Sequence, residues 1–389
     1  MLRMGRLILT ITLCFWLPKT YAVNIDANVA RAPDLQAKAW ILMDVHSKRV
    51  LATKNSDHRL PPASLTKLMT LYVLFNALKG NEFKLSDKVL ISKNAWQVNG
   101  PRIFIRPGTS VEARVLLQGL VVHSANDATI ALAEHSSVTL PKFIKKMNEA
   151  AKLLGLSNTR FKNATGLHQE GHYSSAHDLG ILAARLIQDH PDLYKYFSIK
   201  TFKYKEITHY NRNALLWRTI SSPVGAVKVD GIKTGTSRPA GYSIVASAQA
   251  QQMRLIAIVL GAKSETQRAE GARTLLRYGF RNYETRLLYA ANEAATRVKV
   301  WMGDDSELPL GMDRDIYLTL PRGAFDKLKA RLTVKDLQMA PISKKQKIGS
   351  IVLELDKKKI AEYPLLSLKK IDRGNIIQRT FDKIRLWFE

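Results

Sequence analysis

Apolar residues recur at two spacings over the first two thirds of the chain. Alternation with period two predicts five strands, at 39–44, 49–54, 227–233, 240–249 and 253–262. The first two would pair as a hairpin around residues 46–48. Helical spacing dominates from about 65 to 195 and again from Glu265 to Tyr278. Because strands from both ends enclose the helical segment, we predict an α+β fold with one antiparallel sheet closed by distant parts of the chain.

A different pattern begins near residue 286 and continues to about residue 372. Period-two alternation is interrupted there by proline and glycine, and its clearest segments are 297–301, 315–320, 329–334 and 350–355. No set of residues with catalytic chemistry occurs in this part of the sequence. We therefore predict a catalytic domain over 23–285 and a small C-terminal β-rich domain over 286–372.

The last segment, residues 373–389, is amphipathic at helical spacing. Its apolar side comprises Ile376, Ile377, Phe381, Ile384, Trp387 and Phe388, and charged residues fill the other side. The segment is too short and too charged to span a bilayer, but a helix of this kind lies in the membrane interface. We predict a membrane-anchoring helix; the alternative is a helix that packs on its own domain.

Residues 1–22 have the features of a secretory signal peptide. Arg3 and Arg6 precede an apolar run from Leu7 to Leu17, and Thr20-Tyr21-Ala22 is a small-x-small cleavage site. The one cysteine of the chain, Cys14, lies within this segment. A chain cleaved after Ala22 would therefore contain no disulfide, no reactive thiol and no cysteine metal site.

The chain is strongly basic, with a net charge of +27 that falls to +24 without Arg3, Arg6 and Lys19. Such a charge is suited to anionic lipid headgroups or an anionic wall polymer. Nucleic acid is the usual alternative partner for a basic protein. Export argues against it, and the sequence contains neither a zinc finger nor an RNP-type motif, so we predict no nucleic acid binding.

Ser64 and Lys67 have the spacing of an activated nucleophile and its base, one helical turn apart. Two prolines precede Ser64, and apolar residues follow it at helical spacing, which places it in the first turn of a buried helix. The positive end of the helix dipole would favour an alkoxide there. A second Ser-x-x-Lys, at Ser367 to Lys370, lies in a lysine-rich stretch, and we interpret Ser367 as a solvated serine.

Two further motifs follow in order along the chain. Ser124 and Asn126 lie in a short loop between two apolar helices, and Lys233-Thr234-Gly235 precedes a strand of small and β-branched residues. Gly235 would let a ligand approach the backbone closely. Taken singly, the first motif is compatible with a helix cap and the second with a turn. The ordered set Ser-x-x-Lys, Ser-x-Asn, Lys-Thr-Gly is typical of serine acyl-transfer enzymes that react with penicillin.

The chain resembles the low-molecular-mass penicillin-binding proteins of the D-alanyl-D-alanine carboxypeptidase type over essentially the whole mature sequence. The resemblance rests on the segments 62–67, 126–128, 173–176, 211–217, 229–235 and 240–242, together with the downstream domain and the tail. It implies the fold shared by serine β-lactamases and penicillin-binding transpeptidases, without a metal or a cofactor. It also implies an exported protein on the periplasmic face of the cytoplasmic membrane, acting in peptidoglycan remodelling and cell shape.

The implied substrate is a peptidoglycan stem peptide ending in D-Ala-D-Ala, with β-lactam antibiotics as its mimics. Ser64 would attack the penultimate carbonyl and release the terminal D-alanine from an acyl-enzyme. Lys67, if buried near other cations, would accept the serine proton. Ser124 would relay the proton to the leaving nitrogen, with Lys233 tuning it.

The same resemblance assigns the substrate contacts. Asn126 would bind the acyl-side amide, and Arg212, Lys233 and Thr234 would hold the terminal carboxylate. The backbone N–H groups of Ser64 and Thr236 would form the oxyanion hole. Thr236 stands where these relatives carry a histidine, and the connection from 217 to 233 is longer than in them.

Two other functions compete with a carboxypeptidase. A β-lactamase would lack the extra β domain and the tail, and the middle of this chain contains no evident second-carboxylate deacylation motif. A non-catalytic wall-binding or shape-determining protein would not need an intact Ser64, Lys67 and Lys233. A metal site at His168, His172 and His177 is disfavoured because Gly166 and Gly171 indicate a loop, and a Ser-His-Asp triad because no Gly-x-Ser-x-Gly elbow is present.

Overall fold

The computed structural model describes residues 29–334 and 337–388. These residues form two compact units, one of 29–286 with 317–322 and the other of 287–316 with 323–388. The predicted signal peptide, residues 1–22, lies outside the described residues.

The secondary structure alternates between strands and helices in the first unit and consists mainly of strands in the second. In chain order the strands are β1 (Ala39–Asp44), β2 (Val50–Lys54), β3 (Lys88–Leu90), β4 (Ser110–Glu112), β5 (Thr201–Tyr204), β6 (Ile207–Tyr210), β7 (Thr219–Ser222), β8 (Gly225–Ser237), β9 (Gly241–Ala250), β10 (Met253–Ala262), β11 (Tyr283–Tyr289), β12 (Ala294–Lys299), β13 (Glu307–Gly311), β14 (Ile316–Pro321), β15 (Leu328–Val334), β16 (Lys347–Leu355) and β17 (Lys358–Ser367). The helices are α1 (Lys67–Lys79), α2 (Lys93–Gln97), α3 (Ala113–Gln118), α4 (Asn126–Ser137), α5 (Leu140–Leu153), α6 (Ala176–Asp189), α7 (Pro191–Tyr194), α8 (Glu265–Asn282) and α9 (Ile376–Leu386).

The first unit is built on a six-stranded antiparallel sheet in the order β2-β1-β10-β9-β8-β7. The N-terminal hairpin joins strands from more than 200 residues later, with Ala39 opposite Leu260 and Asp44 opposite Leu255. This is the α+β arrangement that the sequence predicted, with the five predicted strands present and β7 added at the edge.

Both faces of this sheet are covered. Alternate residues of β1, such as Ile41 and Met43, pack into a core with the helices α1 and α3 to α6. The intervening residues Trp40 and Leu42 pack on the other face against α8. Burial on both sides explains why β9 and β10 are almost continuously apolar. Helix α1 runs through the middle of the helical layer, and ten of its thirteen residues are buried, Lys67 among them.

The second unit contains a five-stranded antiparallel sheet in the order β12-β13-β17-β16-β15. The sequence pattern did not reveal β13 and β17, because Pro309 and Pro364 interrupt their alternation. The interpretation of Ser367 as a solvated serine is wrong. Ser367 ends β17 fully buried, and its Oγ donates to the carbonyl of Ser343 and accepts the N–H of Gln346.

Helix α9 ends the described chain and begins with a capping box between Asn375 and Gln378. A polar contact of this helix reaches back along the chain: Asp382 accepts the N–H of Met302 at 2.6 Å. The apolar residues are exposed by 54% to 91%; they are Ile376, Ile377, Phe381, Ile384, Trp387 and Phe388. In the part of the chain that the structure describes, no helix has both the length and the hydrophobicity needed to cross a membrane.

Candidate active site

Ser64 lies in a short 3₁₀ turn, Ala63–Thr66, that leads directly into α1. The turn is closed by a hydrogen bond from the N–H of Leu65 to the carbonyl of Pro62. The sequence predicted the first turn of the helix, and the structure puts Ser64 in the 3₁₀ turn just before it. Strand β8 passes close by at Gly235, where a Cβ would lie 3.0 Å from the Pro62 carbonyl oxygen. A side chain at position 235 would crowd the turn that carries Ser64, so glycine helps the strand to lie this close to it.

Lys67 is fully buried, and its ammonium nitrogen has three partners. Nζ lies 2.7 Å from Oδ1 of Asn126, 2.6 Å from the carbonyl oxygen of Thr165 and 3.3 Å from Oγ of Ser64. The Asn126 side chain is fixed in this orientation because its Nδ2 donates to the carbonyl of Asn99. Two of the three partners of Nζ can only accept hydrogen bonds, whereas the serine hydroxyl can also donate.

The carbonyl of Thr165 is presented to Lys67 by a tight loop. Asn163 organises this loop, because its Oδ1 accepts the N–H groups of Thr165 and Gly166. Gly166 has a φ of +86°, and a Cβ there would lie 1.8 Å from the carbonyl oxygen of Ala63. The loop can therefore pack on the serine turn only with glycine at this position.

His172, one of three histidines considered above as metal ligands, has a packing role instead. Its Nδ1 accepts the N–H of Lys162, so its Nε2 carries the proton and donates to Oγ1 of Thr66 at 2.8 Å. Burial lowers its pKa from 6.5 to about 4. Among the described residues, no group of three or more His, Cys, Asp or Glu side chains is placed to hold a metal ion.

Ser124 lies between two helices, as the sequence predicted, whereas Asn126 is the first residue of the second helix rather than part of the loop. Helix α3 continues into a wide π turn, Gly119–His123, and Ser124 then adopts a left-handed conformation with φ of 61° before α4 begins at Asn126. The Ser124 hydroxyl is buried and has no hydrogen-bond partner within the described residues. An unpaired buried hydroxyl is costly, and such groups are retained where function requires them.

Arg212 is held between two asparagines whose side chains bind the backbone. Asn211 donates to the carbonyl of Ile199, and Asn213 donates to the carbonyl of Gly231 on β8. These bonds anchor the chain on both sides of Arg212 and leave its own side chain exposed. The paired asparagines thus explain why the Asn-Arg-Asn sequence positions this cation beside β8.

Arg268 is a cation of the site that sequence reasoning missed. It comes from α8, its side chain is only 4% exposed, and it donates to Oγ1 of Thr236 at 2.8 Å and to Glu265 at 3.1 Å. The signal was present in the helical spacing, because Arg268 occupies the same buried side of α8 as Ala272, Leu275 and Gly279. Thr236 is the residue where the resemblance predicts histidine, and here it binds Arg268.

The buried cations depress one another's proton affinity. Burial, and then the charges of Lys233 and Arg212, lower the pKa of Lys67 well below 10.5. Burial, and then Arg212 and Arg268, lower the pKa of Lys233 to about 7. A lysine with a depressed pKa can serve as a base near neutral pH. The positive charges of Arg212, Lys233 and Arg268 beside Lys67 also form a site suited to an anionic ligand.

Comparisons with known proteins agree with this arrangement. A family model described as D-alanyl-D-alanine carboxypeptidase matches residues 26–264, and one for the C-terminal domain of penicillin-binding protein 5 matches residues 283–373. D-alanyl-D-alanine carboxypeptidase DacA of Escherichia coli (strain K12) is 38% identical over 395 residues, covering 99% of this chain and 96% of DacA.

Solved structures show the same fold. Penicillin-binding protein 5 from Haemophilus influenzae superposes with a TM-score of 0.82 at 37% identity, covering 88% of this chain and all of that one. Penicillin-binding protein D2 from Listeria monocytogenes in its ampicillin-bound form gives a TM-score of 0.58 at 29% identity, covering 65% of this chain and all of its own. The fold and the family expected from the motifs are confirmed: the chain belongs to the D-alanyl-D-alanine carboxypeptidase family of serine peptidases, and its C-terminal domain is similar to that of penicillin-binding protein 5.

Proposed function

We propose that this protein is a serine-type carboxypeptidase that removes the terminal D-alanine from peptidoglycan pentapeptides and is acylated by β-lactams at the same residue. The observation that carries the proposal is the environment of Lys67, a buried amine of depressed pKa that lies 3.3 Å from Oγ of Ser64. The penicillin-binding protein D2 relative with bound ampicillin supports the β-lactam part.

The hydrogen bonds of Lys67 suit a base. A neutral amine has two N–H bonds and one lone pair. The carbonyl of Thr165 and Oδ1 of Asn126 take the two N–H bonds, so the lone pair faces the Ser64 hydroxyl. Ser64 Oγ then attacks the penultimate carbonyl while its proton moves to Lys67 Nζ, giving a tetrahedral intermediate.

Collapse of this intermediate requires a proton on the leaving nitrogen of D-alanine. The Ser124 hydroxyl is buried and has no hydrogen-bond partner among the described residues. In this proposal it accepts the proton from Lys67 and donates its own to that nitrogen once the bound substrate has brought the two side chains within hydrogen-bonding distance. The C–N bond breaks, D-alanine leaves, and water hydrolyses the Ser64 ester. The backbone N–H groups of Ser64 and Thr236 form the oxyanion hole in this proposal, and Gly235 lets the substrate lie against β8.

Carboxylate recognition distinguishes a carboxypeptidase from an endopeptidase. In this proposal Arg212, Lys233 and Thr234 hold the terminal carboxylate, and Arg268 adds positive charge to the same site through its bond to Thr236. Asn126 keeps one N–H and one lone pair for the acyl-side amide, because its two contacts use only half of its hydrogen-bonding capacity.

The carboxylate assignment is tested by Arg212→Gln. A hydrogen bond between charged groups contributes about 1.5–3 kcal/mol, so kcat/KM for a free-acid pentapeptide should fall about 10- to 150-fold. The acylation rate at saturating penicillin should change far less. Arg218→Gln is the matched control, because Arg218 is an exposed arginine nearby that pairs with Glu270. Equal cleavage of the free-acid and C-terminally amidated pentapeptides by the wild type would refute the carboxylate anchor.

Lys233 makes substrate binding dependent on pH. With a pKa of about 7, it is a cation below that pH and becomes neutral above it. The KM for the free-acid pentapeptide should therefore rise between pH 7 and 9, by at most about tenfold per unit. The KM for the amidated peptide should not follow this rise. Initial rates across pH 6–9 measure both, and a parallel pH dependence for the two peptides would contradict the role of Lys233.

We further propose that the protein acts outside the cytoplasm, at the periplasmic surface of the inner membrane. Residues 1–22 serve as a signal peptide, 23–285 as the catalytic domain, 286–372 as the β-rich domain and 373–389 as the membrane-anchoring helix. Two observations support the anchor: its apolar side is exposed, and Asp382 on its polar side binds Met302 of its own unit. Residues 369–389 also carry six Lys or Arg against three Asp or Glu.

Deleting residues 374–389 should therefore release the protein from membranes into the soluble exported fraction with its activity on soluble peptides intact. Each basic residue near an anionic surface contributes about 1 kcal/mol, and apolar burial adds about 25 cal/mol per Å². Salt screens only the first contribution, so high salt should release the full-length protein in part. Fractionation measures both effects, and a truncated protein that sediments as fully as the intact one would disprove the anchor.

A further inference from the structure

Two histidines pack against each other next to Ser124 and are not used by the mechanism above. The ring centroids of His123 and His209 are 4.3 Å apart, with their planes tilted by 51°. His123 immediately precedes Ser124, and His209 lies on β6, three residues before Arg212. Their contact therefore joins the turn that carries Ser124 to the β5–β6 hairpin that leads into Arg212.

The packing of His209 indicates a role for its ring rather than for a hydrogen bond. The side chain is 5% exposed and stacks on Phe202 across the hairpin, with centroids 6.0 Å apart. Its buried Nε2 has no hydrogen-bond partner among the described residues. A phenyl ring would fill the same space without leaving a polar atom unpaired, so His209 contributes here through ring stacking.

The base of the hairpin is fixed independently. The N–H of Asn211 binds the carbonyl of Lys200, and its side chain binds the carbonyl of Ile199. These bonds set the path of the chain into Arg212, whereas both strands of the hairpin contact the π turn before Ser124. The rings of His209 and His123 form part of that contact.

We propose that the His123–His209 stack is a positioning pair, which sets the distance between Arg212 and Ser124 and thereby the preference for a substrate with a free terminal carboxylate. The proposal rests on the carboxypeptidase function above and names further determinants of its specificity. A carboxylate held by Arg212 would bring the scissile carbonyl to Ser64 only while the two rings remain in contact.

The charges around the pair favour its neutral form. Burial, followed by His209, Arg212 and Lys233, lowers the pKa of His123 from 6.5 to about 4. Burial also lowers the pKa of His209, against the opposing charge of Asp127. Exposure of the His123 ring to solvent would return its pKa toward 6.5, so acid between pH 6.5 and 4 disfavours the buried, packed ring by up to about tenfold per pH unit. The lowered pKa of His209 acts in the same direction.

The test compares His209→Ala with His209→Phe at pH 8, using free-acid and amidated pentapeptides and the ratio of their kcat/KM values as the carboxylate preference. His209→Ala should lower this ratio at least about fivefold, mainly through the KM of the free acid, and His209→Phe should keep it within about twofold of the wild type. His46→Ala is the matched control, because it removes a ring that stacks on Tyr317 in the same unit, on the turn between β1 and β2. Melting temperatures establish that each variant is folded.

A second measurement uses no variant that removes a ring from the pair. From pH 6.5 to 5 the carboxylate preference of the wild type should fall, because the stack weakens, whereas the double variant His123→Phe, His209→Phe should hold its preference. The proposal would be overturned by any of three results. The carboxylate preference could be unchanged in His209→Ala, it could fall as far in His209→Phe as in His209→Ala, or it could depend on acid equally in the wild type and the double variant. Penicillin labelling and D-alanine release by the wild type report on the proposed function separately, so failure of either inference can be recognised.

Discussion

Replacing Ser64 with alanine should abolish both covalent labelling by penicillin and release of D-alanine from pentapeptide. The hydroxyl is the group that forms the ester in the proposed mechanism, and no other serine in the described residues lies within hydrogen-bonding distance of Lys67 Nζ. The variant should fold normally, because Ser64 is only partly buried and the turn is closed by the backbone bond between Leu65 and Pro62.

Ser367→Ala provides the control for this experiment. Ser367 has the same Ser-x-x-Lys spacing, but it is buried at the end of β17. Its hydroxyl bonds to the backbone of Ser343 and Gln346 in the same unit. Its loss should cost about 1 kcal/mol of stability and leave labelling unchanged. Penicillin labelling that persists in folded Ser64→Ala would reject Ser64 as the nucleophile.

Replacing Lys67 with methionine should lower the penicillin acylation rate constant by about 10²- to 10⁴-fold, the range supplied by a positioned general base. Methionine keeps much of the buried volume but removes the amine next to Ser64. The carbonyl of Thr165 and Oδ1 of Asn126 would each lose a partner, which costs about 1–3 kcal/mol apiece. Removing the desolvated amine itself offsets part of that loss.

Two companion variants separate charge from basicity at Lys67. Lys67→Arg keeps a cation that does not deprotonate, so it should be as slow as the methionine variant if proton acceptance is the role. Lys79→Met changes an exposed lysine in the last turn of the same helix and should acylate normally. Stopped-flow acylation measures all three, and a Lys67→Arg enzyme with a near-normal rate constant would show that the charge, not the base, matters.

The sheet and the position of Ser64 just before a buried helix were predictable because local signals determine them. Apolar alternation identified β1, β2, β8, β9 and β10, and the prolines before Ser64 placed it at a helix start. The depressed pKa of Lys67 was also predicted, since buried neighbouring cations have that effect.

Other features depend on contacts between distant parts of the chain and could not be predicted in the same way. The carbonyl of Thr165 reaches Lys67 from 98 residues away, and no sequence pattern encodes that approach. Arg268 and the His123–His209 contact are of the same kind. Ser367 was misjudged because lysines around it suggested exposure, whereas its strand pairs with β16 and buries it.

The site is costly to maintain. Lys67 and Lys233 are desolvated, and the Ser124 hydroxyl is buried without a partner in the described part of the chain. Such groups destabilise a fold, and natural proteins keep them where activity requires them. In the proposed mechanism these unfavourable features follow from holding Lys67 as the base and the Ser124 hydroxyl as the proton relay close to Ser64.

Mapping the residue that penicillin modifies tests the central claim most directly. The wild-type protein would be incubated with labelled penicillin, digested and analysed by mass spectrometry. The proposed mechanism predicts one stoichiometric adduct, on the peptide containing Ser64, which forms more slowly when pentapeptide is present in excess. An adduct on another residue, or no adduct in a protein that is folded, would contradict it.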